Sequence, residues 1–245
     1  MNKDTIEKAY TNTFGLAFSE LVFSRVRRPV TVRQRTIRGR KTERTVKYTT
    51  LDKLDAVVQQ CTGCALSKTR TKVVFGKGAK KPEIVFVGEA PGEQEDLQGF
   101  PFVGRAGKLL DKWLAVMGLT LNEVYIMNTL KCRPPDNRDP LPEEKKACRP
   151  WFDAQIALLK PKVLCALGRH GFGNLVPFEE GMSFGQFRLK KHAYNGVPVV
   201  ATYHPSFLLR SPGMMDKVYE DLRFLLEICG RPVPPSLQSP DIKIE

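Results

Sequence analysis

Four short apolar runs, at residues 83–88, 124–129, 163–167 and 197–202, alternate with amphipathic stretches at 105–117, 143–159 and 214–228. No other feature limits the fold so tightly. Runs of five or six apolar residues bounded by Gly, Pro or Asn read as strands. They are apolar almost throughout, as in strands covered on both faces. In the stretch at 105–117, Leu109, Leu110, Trp113, Leu114 and Met117 share one helical face. Strands that alternate with helices imply a parallel sheet, since parallel neighbours need a crossover between them. The expected fold is α/β, three layers α/β/α around a central, mainly parallel, four-stranded sheet over residues 51–230. A short helix at 51–60 opens it, and the Pro/Ser-rich residues 231–245 read as a flexible tail.

Residues 1–50 have a different character. They carry twelve Lys/Arg against four Asp/Glu, which is eight of the thirteen excess positive charges of the chain. Residues 31–37 and 42–49 alternate around Arg38-Gly39-Arg40-Lys41, a pattern that reads as a basic β-hairpin in this N-terminal extension, with a disordered basic arm as the competing reading. A net charge of +13 and a pI near 9.6 suit a polyanionic partner, nucleic acid first, because each neutralised phosphate releases counterions. Residues 25–49 are the candidates for an extra DNA or protein contact. No run approaches the ~20 apolar residues that a membrane span needs, and no secretory signal opens the chain. The expectation is a monomer with no membrane partner, in a reducing cytoplasm and associated with the nucleoid. There, six cysteines suggest metal ligation or buried packing rather than disulfides.

Ligands of open parallel sheets bind beyond the carboxyl ends of the strands. The first run leads into Gly88-Glu89-Ala90-Pro91-Gly92-Glu93-Gln94-Glu95, a tight turn with exposed N–H groups and carboxylates. It has neither G-x-G-x-x-G nor G-K-[ST], and its carboxylates disfavour phosphate. General-base work or amide recognition suits it better, with a solvated loop as the competing reading. The second run ends in Asn128, whose amide offers both a donor and an acceptor to a nucleobase edge, or serves as a turn-former. The fourth ends in Thr202-Tyr203-His204-Pro205-Ser206, and His204 is one of three histidines in the chain.

The cysteines follow a C-x2-C pattern at Cys61 and Cys64, then Cys132 and Cys148 fifteen residues apart. A close pair presents two thiolates from a single turn. The second C-x2-C of a zinc ribbon is missing, and His and Asp ligands do not cluster near the cysteines as a zinc nuclease would require. Four thiolates suit zinc or a [4Fe–4S] cluster, and spacing does not choose between them. Cys165, in a strand, and Cys229, near a helix end, read as packing residues.

Together these motifs resemble the family 4, iron–sulfur uracil-DNA glycosylases of the uracil-DNA glycosylase superfamily. The likeness covers residues 54–228. It is carried by Cys61-Thr-Gly-Cys64-Ala-Leu, Gly88-Glu-Ala-Pro-Gly92 with Glu95, and Pro101-Phe102-Val103-Gly104-Arg105-Ala106-Gly107. It continues through Asn128-Thr-Leu-Lys-Cys132-Arg-Pro-Pro135, Cys148, Leu167-Gly168 and His204-Pro-Ser-Phe-Leu-Leu-Arg210. Each motif is weak alone, and their order and spacing are specific. Residues 1–50 fall outside the likeness.

The resemblance implies a monofunctional enzyme that flips uracil out of single- or double-stranded DNA and hydrolyses its N-glycosidic bond, leaving an abasic site. It implies a structural [4Fe–4S] cluster on Cys61, Cys64, Cys132 and Cys148. Phe102 would stack on the base, Asn128 would read its Watson–Crick edge, and backbone groups around Glu89 and Ala90 would contact it. His204 would face uracil O2 as a catalytic group. Glu89, with Glu95 second, would orient the attacking water, because the position of the Asp used in the best-known branch holds Ala90 here. Ser206, Leu208, Leu209 and Arg210 match the DNA-entering loop, with Leu208 or Leu209 as wedge and Arg210 on phosphate. Two alternatives belong to other classes. One is a non-catalytic or covalently trapping uracil-DNA binder, whose His-bearing insertion is not found between Gly104 and Asn128. The other is a recruitment module built around the basic extension.

Overall fold

The computed structural model describes residues 30–34, 44–179 and 181–238. Strands β1 (Val30–Gln34) and β2 (Arg44–Tyr48) pair antiparallel, Val30 opposite Tyr48 and Gln34 opposite Arg44, so the expected basic hairpin is present as a ribbon. The Arg38-Gly39-Arg40-Lys41 turn proposed for it lies outside the described residues.

Helix α1 (Leu51–Val58) starts where the Thr50 side chain accepts a hydrogen bond from the Lys53 amide. The chain then forms β3 (Lys77–Gly78), β4 (Ile84–Gly88), α2 (Glu93–Gln98), α3 (Arg105–Val116) and β5 (Val124–Asn128). Next come α4 (Pro142–Leu159), β6 (Val163–Leu167), α5 (Gly168–Gly173), β7 (His192–Tyr194), β8 (Val197–Thr202), α6 (Pro205–Leu208) and α7 (Met215–Cys229).

The sheet has the order β3-β5-β4-β6-β8-β7. The four expected strands are the parallel centre, but the sheet is six-stranded rather than four-stranded, with β3 and β7 antiparallel at its edges. Lys77–Gly78 is too short to show any period. The β7–β8 hairpin did carry a signal: Asn195 and Gly196 both have positive φ, 48° and 81°, the pair of left-handed residues that a tight hairpin turn demands.

Successive side chains of each central strand go to opposite faces. Val85, Val87, Tyr125, Met127, Leu164 and Ala166 pack with α1 and α4, whereas Ile84, Phe86, Val124, Ile126, Val163 and Cys165 pack with α3 and α7. Two covered faces explain the unbroken apolar runs. Cys165 and Cys229 are buried in the second layer, as packing residues. Packing also continues past residue 230, where the flexible tail was expected to begin. Leu237 is fully buried, its carbonyl accepts from Arg223, and Arg231 bridges Glu83 and Glu123 at 2.7 and 3.0 Å. Residues 239–245 lie outside the described residues.

Candidate active site

The chain leaves β4 towards β5 on one side and later crosses back to β6 on the other, so the strand order reverses beside β4. That reversal opens a crevice at the carboxyl ends of the strands. A cleft of about 850 Å³ occupies it, lined by Glu89, Ala90, Asn128, His170 and His204 among others.

Its floor depends on Gly88. A Cβ there would come 2.3 Å from Asn128 Oδ1 and 3.0 Å from the Phe102 ring, so only glycine lets both side chains cross the end of β4. Asn128, 2% exposed, is the last residue of β5. Its surroundings are fixed by backbone bonds from Thr129 N–H to Gly88 O and from Leu130 N–H to Glu89 O, at 3.0 and 2.9 Å. Phe102 has a left-handed φ of 53°. Its segment is held by Glu95, whose Oε1 accepts from the amides of Val103 and Gly104 at 2.9 and 3.2 Å while Oε2 accepts from Gly92 N–H at 3.2 Å. Glu95 therefore acts as a clamp on two loops, with both oxygens engaged.

His204 lies across from Phe102, ring centroids 5.7 Å apart. Its Nδ1 accepts from the Ser206 amide at 3.1 Å and lies 2.8 Å from Ser206 Oγ. An amide can only donate, so the proton of the neutral ring sits on Nε2. Burial first, and Arg210 second, push the imidazole down to about 4 against the pull of Glu95. At neutral pH the ring is an uncharged N–H donor. Gly168, with φ of 75°, lets it approach, since a Cβ there would meet His204 Cβ at 2.8 Å.

Glu89 follows β4 with its side chain 18% exposed. Lys145 Nζ lies 3.1 Å from Oε1 without hydrogen-bond alignment, an ion pair rather than a hydrogen bond. His170 Nδ1 stands 3.7 Å from the same oxygen, and Asp139 completes a group whose ligand atoms lie within 4.8 Å of one another. Sequence reasoning missed Asp139 and His170. His170 had a signal, since it lies three residues beyond the end of β6, in the first turn of the helix that follows; Asp139, in a loop, had none.

In α6, the expected DNA-contact residues separate. Leu208 is 1% exposed and packs in the core with Leu110 and Trp113, whereas Leu209 is 40% exposed and Arg210 faces solvent at the cleft. A core residue cannot enter a duplex, so Leu208 is no wedge.

Cys61, Cys64, Cys132 and Cys148 converge on a second, closed pocket beside Lys131 and Trp151. Trp151 Nε1–H points at Cys61 Sγ at 3.3 Å, and Arg70 donates to Cys132 Sγ at 3.2 Å. N–H groups aimed at sulfur favour thiolates. A tetrahedral zinc would draw its sulfurs to about 3.8 Å of one another. Among the described residues no three of these sulfurs come within 4.8 Å, so the donor set fits a larger thiolate-held group. Lys131, 1% exposed, joins the two pockets. Its Nζ donates to the Asn128 carbonyl at 2.6 Å and to the Phe75 carbonyl at 3.4 Å, beneath the Phe152 ring.

An open α/β sheet with a cleft at its switch point, a neutral imidazole donor and a buried amide has the groups to receive a flat, polar heterocycle. The family model described as uracil DNA glycosylase superfamily matches residues 75–223. The chain belongs to that superfamily. It is 42% identical over 193 residues to a type-4 uracil-DNA glycosylase of Archaeoglobus fulgidus, covering 75% of this chain and 97% of the relative. It is 40% identical over 190 residues to a type-4 uracil-DNA glycosylase of Sulfurisphaera tokodaii, 74% of this chain and 86% of the relative. It is 45% identical over 157 residues to a type-4 uracil-DNA glycosylase of Thermotoga maritima, 63% of this chain and 80% of the relative.

Proposed function

We propose that this enzyme repairs DNA by extruding uracil into the cleft and hydrolysing its N-glycosidic bond, leaving an abasic site. The observation that carries the reading is His204, a half-buried neutral imidazole with its Nε2 proton free for an acceptor, opposite Phe102 and beside Asn128.

A base inside the stack must leave it before any group can reach its glycosidic bond. Phe102 stacks on the extruded uracil, and the Asn128 amide reads its edge, separating uracil from cytosine. Backbone groups at Glu89 and Ala90 complete the contact. As the bond breaks, negative charge builds on the base and positive charge on the sugar. His204 Nε2–H meets the oxyanion at O2, where a preorganised donor in a water-poor site is worth several kcal/mol. Glu89 orients the water that attacks the sugar and offsets its charge, with Asp139 and His170 alongside. Glu95 positions Phe102 by holding the 103–104 amides. Leu209 is the wedge, and Arg210 contacts phosphate.

Cys61, Cys64, Cys132 and Cys148 hold the [4Fe–4S] cluster that the family resemblance implies. Such a cluster supplies a rigid, non-redox anchor for the loop behind Asn128. The enzyme acts as a monomer beside chromosomal DNA in the cytoplasm, with residues 25–49 as an added contact to DNA or protein. Among the described residues no helix is long and apolar enough to cross a membrane.

The test is a single-stranded oligonucleotide with one uracil, incubated with enzyme and then alkali. Cleavage at uracil alone is expected. Glu89→Gln should slow excision by about 100-fold, within the range for a lost general base, and Glu95→Gln should act more weakly by loosening Phe102. Near-full activity of Glu89→Gln with abolished activity of Glu95→Gln would reverse these roles.

A further inference from the structure

One wall of the cleft takes no part in the excision chemistry. At its inner end Phe172, Phe178 and Phe187 pack ring to ring, with centroids 4.7 to 6.1 Å apart, and Phe172 and Phe187 are buried. That end is core and is explained by packing. The series of rings then continues outwards. Phe184 stands edge-on to Tyr203 at 5.4 Å, and Tyr203 stacks on Phe207 at 5.2 Å with 21° between the planes. Phe184, Tyr203 and Phe207 are only partly buried and line the same cleft as Asn128 and His204.

The stacked pair is braced from behind. The Arg188 guanidinium lies 5.3 Å from the Tyr203 ring and is itself pinned by the buried Asp221 carboxylate at 2.9 Å. Arg188 is thereby committed to holding Tyr203. Arg169 is likewise engaged, by the Met182 carbonyl and the Phe178 ring, which leaves Arg210 on the cleft lining to meet phosphate. Partly buried rings beside a solvent-facing arginine, continuous with a base pocket, match a single-stranded nucleic acid, which offers a π-face and a phosphate at every nucleotide.

We infer that Phe207, backed by Tyr203, forms a second stacking subsite, which receives the unpaired nucleobase adjoining the extruded uracil. The inference rests on the uracil-excision reading and goes beyond it by naming what the substrate does outside the uracil pocket. Tyr203 immediately precedes His204, and Phe207 follows it by one turn of α6, so the platform and the catalytic imidazole share one rigid segment. A neighbouring base that is paired in a duplex is not free to stack there, so the subsite favours single-stranded or frayed DNA.

The experiment uses the full chain and single-stranded oligonucleotides with one uracil. The nucleotide on each side of it is replaced in turn by a tetrahydrofuran abasic unit, which keeps the phosphate and removes the base. In the wild type one of the two replacements should raise KM about tenfold, with a smaller effect on kcat. Phe207→Leu should raise KM on the intact oligonucleotide by a similar factor and show little further rise on the abasic-flank substrate. A wild type indifferent to both replacements overturns the proposal, and needs no variant to do so. So does a Phe207→Leu enzyme that responds to them as fully as the wild type. Failure of the uracil-excision reading looks different, because no oligonucleotide would then become alkali-labile.

Discussion

The cleft and the cysteine pocket are built from the same stretch of chain and solve opposite problems. Asn128 ends β5 in the cleft, and Cys132, four residues later, faces the closed pocket. The cleft is assembled from the ends of strands. It stays open because Gly88 and Gly168 carry no side chains, and it presents groups with unused hydrogen-bonding capacity, such as His204 Nε2. The cysteine pocket is assembled from a helix end, a loop and α4, and its N–H donors are already aimed at sulfur. One region must admit a ligand and release it, whereas the other must never let go. The difference teaches where a substitution should show itself: in rate for the cleft, in stability for the pocket.

The largest expected effects test that division directly. His204→Gln or Asn128→Ala should lower the excision rate by about 100- to 1,000-fold, the scale for losing one preorganised donor. Each should leave Tm within a few degrees of the wild type. Cys132→Ala should act on both, removing absorbance near 400 nm and lowering Tm by on the order of 10 °C, with excision falling alongside. If Asn128→Ala melts as early as Cys132→Ala, the two regions are one structural unit and the comparison breaks.

The division also explains what could be read in advance. Two covered sheet faces produce unbroken apolar runs, so the four parallel strands were legible. The residues that follow β4, β5 and β8 were legible for the same reason, since strand ends must be where an open sheet binds. The edge strands were not: Lys77–Gly78 gains its extended form from pairing with Ile126 and Tyr125, a tertiary contact with no local pattern. Glu95 could be found as a carboxylate near the cleft, but its job as a clamp on the Val103 and Gly104 amides depends on a loop folding back over α2. Leu208 and Leu209 are identical in type and adjacent in sequence. Only burial separates the core residue from the exposed one.

A smaller effect distinguishes the regions by pH. His204 titrates at about 4 in the folded enzyme, held down by burial and then by Arg210, and near 6.5 in the unfolded chain. Between these values the unfolded state takes up a proton that the folded state refuses. The contribution is therefore intact above pH 6.5 and is lost progressively as pH falls to about 4, by about 3 kcal/mol at most. Asp221 works the other way, because burial raises its carboxyl to about 6 despite Arg188. The difference in Tm between wild type and His204→Gln, followed from pH 7 to 4, cancels Asp221 and isolates the imidazole. The wild type should lose stability more steeply than the variant. Parallel curves would mean that His204 is not buried as a neutral ring.

The smallest expected effect concerns a side chain that reaches from the cysteine pocket to the Asn128 backbone. Lys131 is buried with its ammonium on the Asn128 carbonyl and its flank against the cysteine pocket. Burial lowers it to about 8, while Cys148 and Cys132 pull it upwards. A buried cation is costly unless carbonyls and opposite charge surround it. Here they come from the Asn128 and Phe75 carbonyls on one side and the cysteine sulfurs on the other, which ties the position of one to the charge of the other. Lys131→Met keeps most of the volume and removes the charge. It should slow excision by about tenfold and, separately, speed the loss of iron to a chelator in the absence of DNA. The second readout matters, because a simple packing defect in the cleft would not move it. Loss of activity with unchanged iron release would place Lys131 with the cleft alone, and the two pockets would then be neighbours in sequence without being coupled.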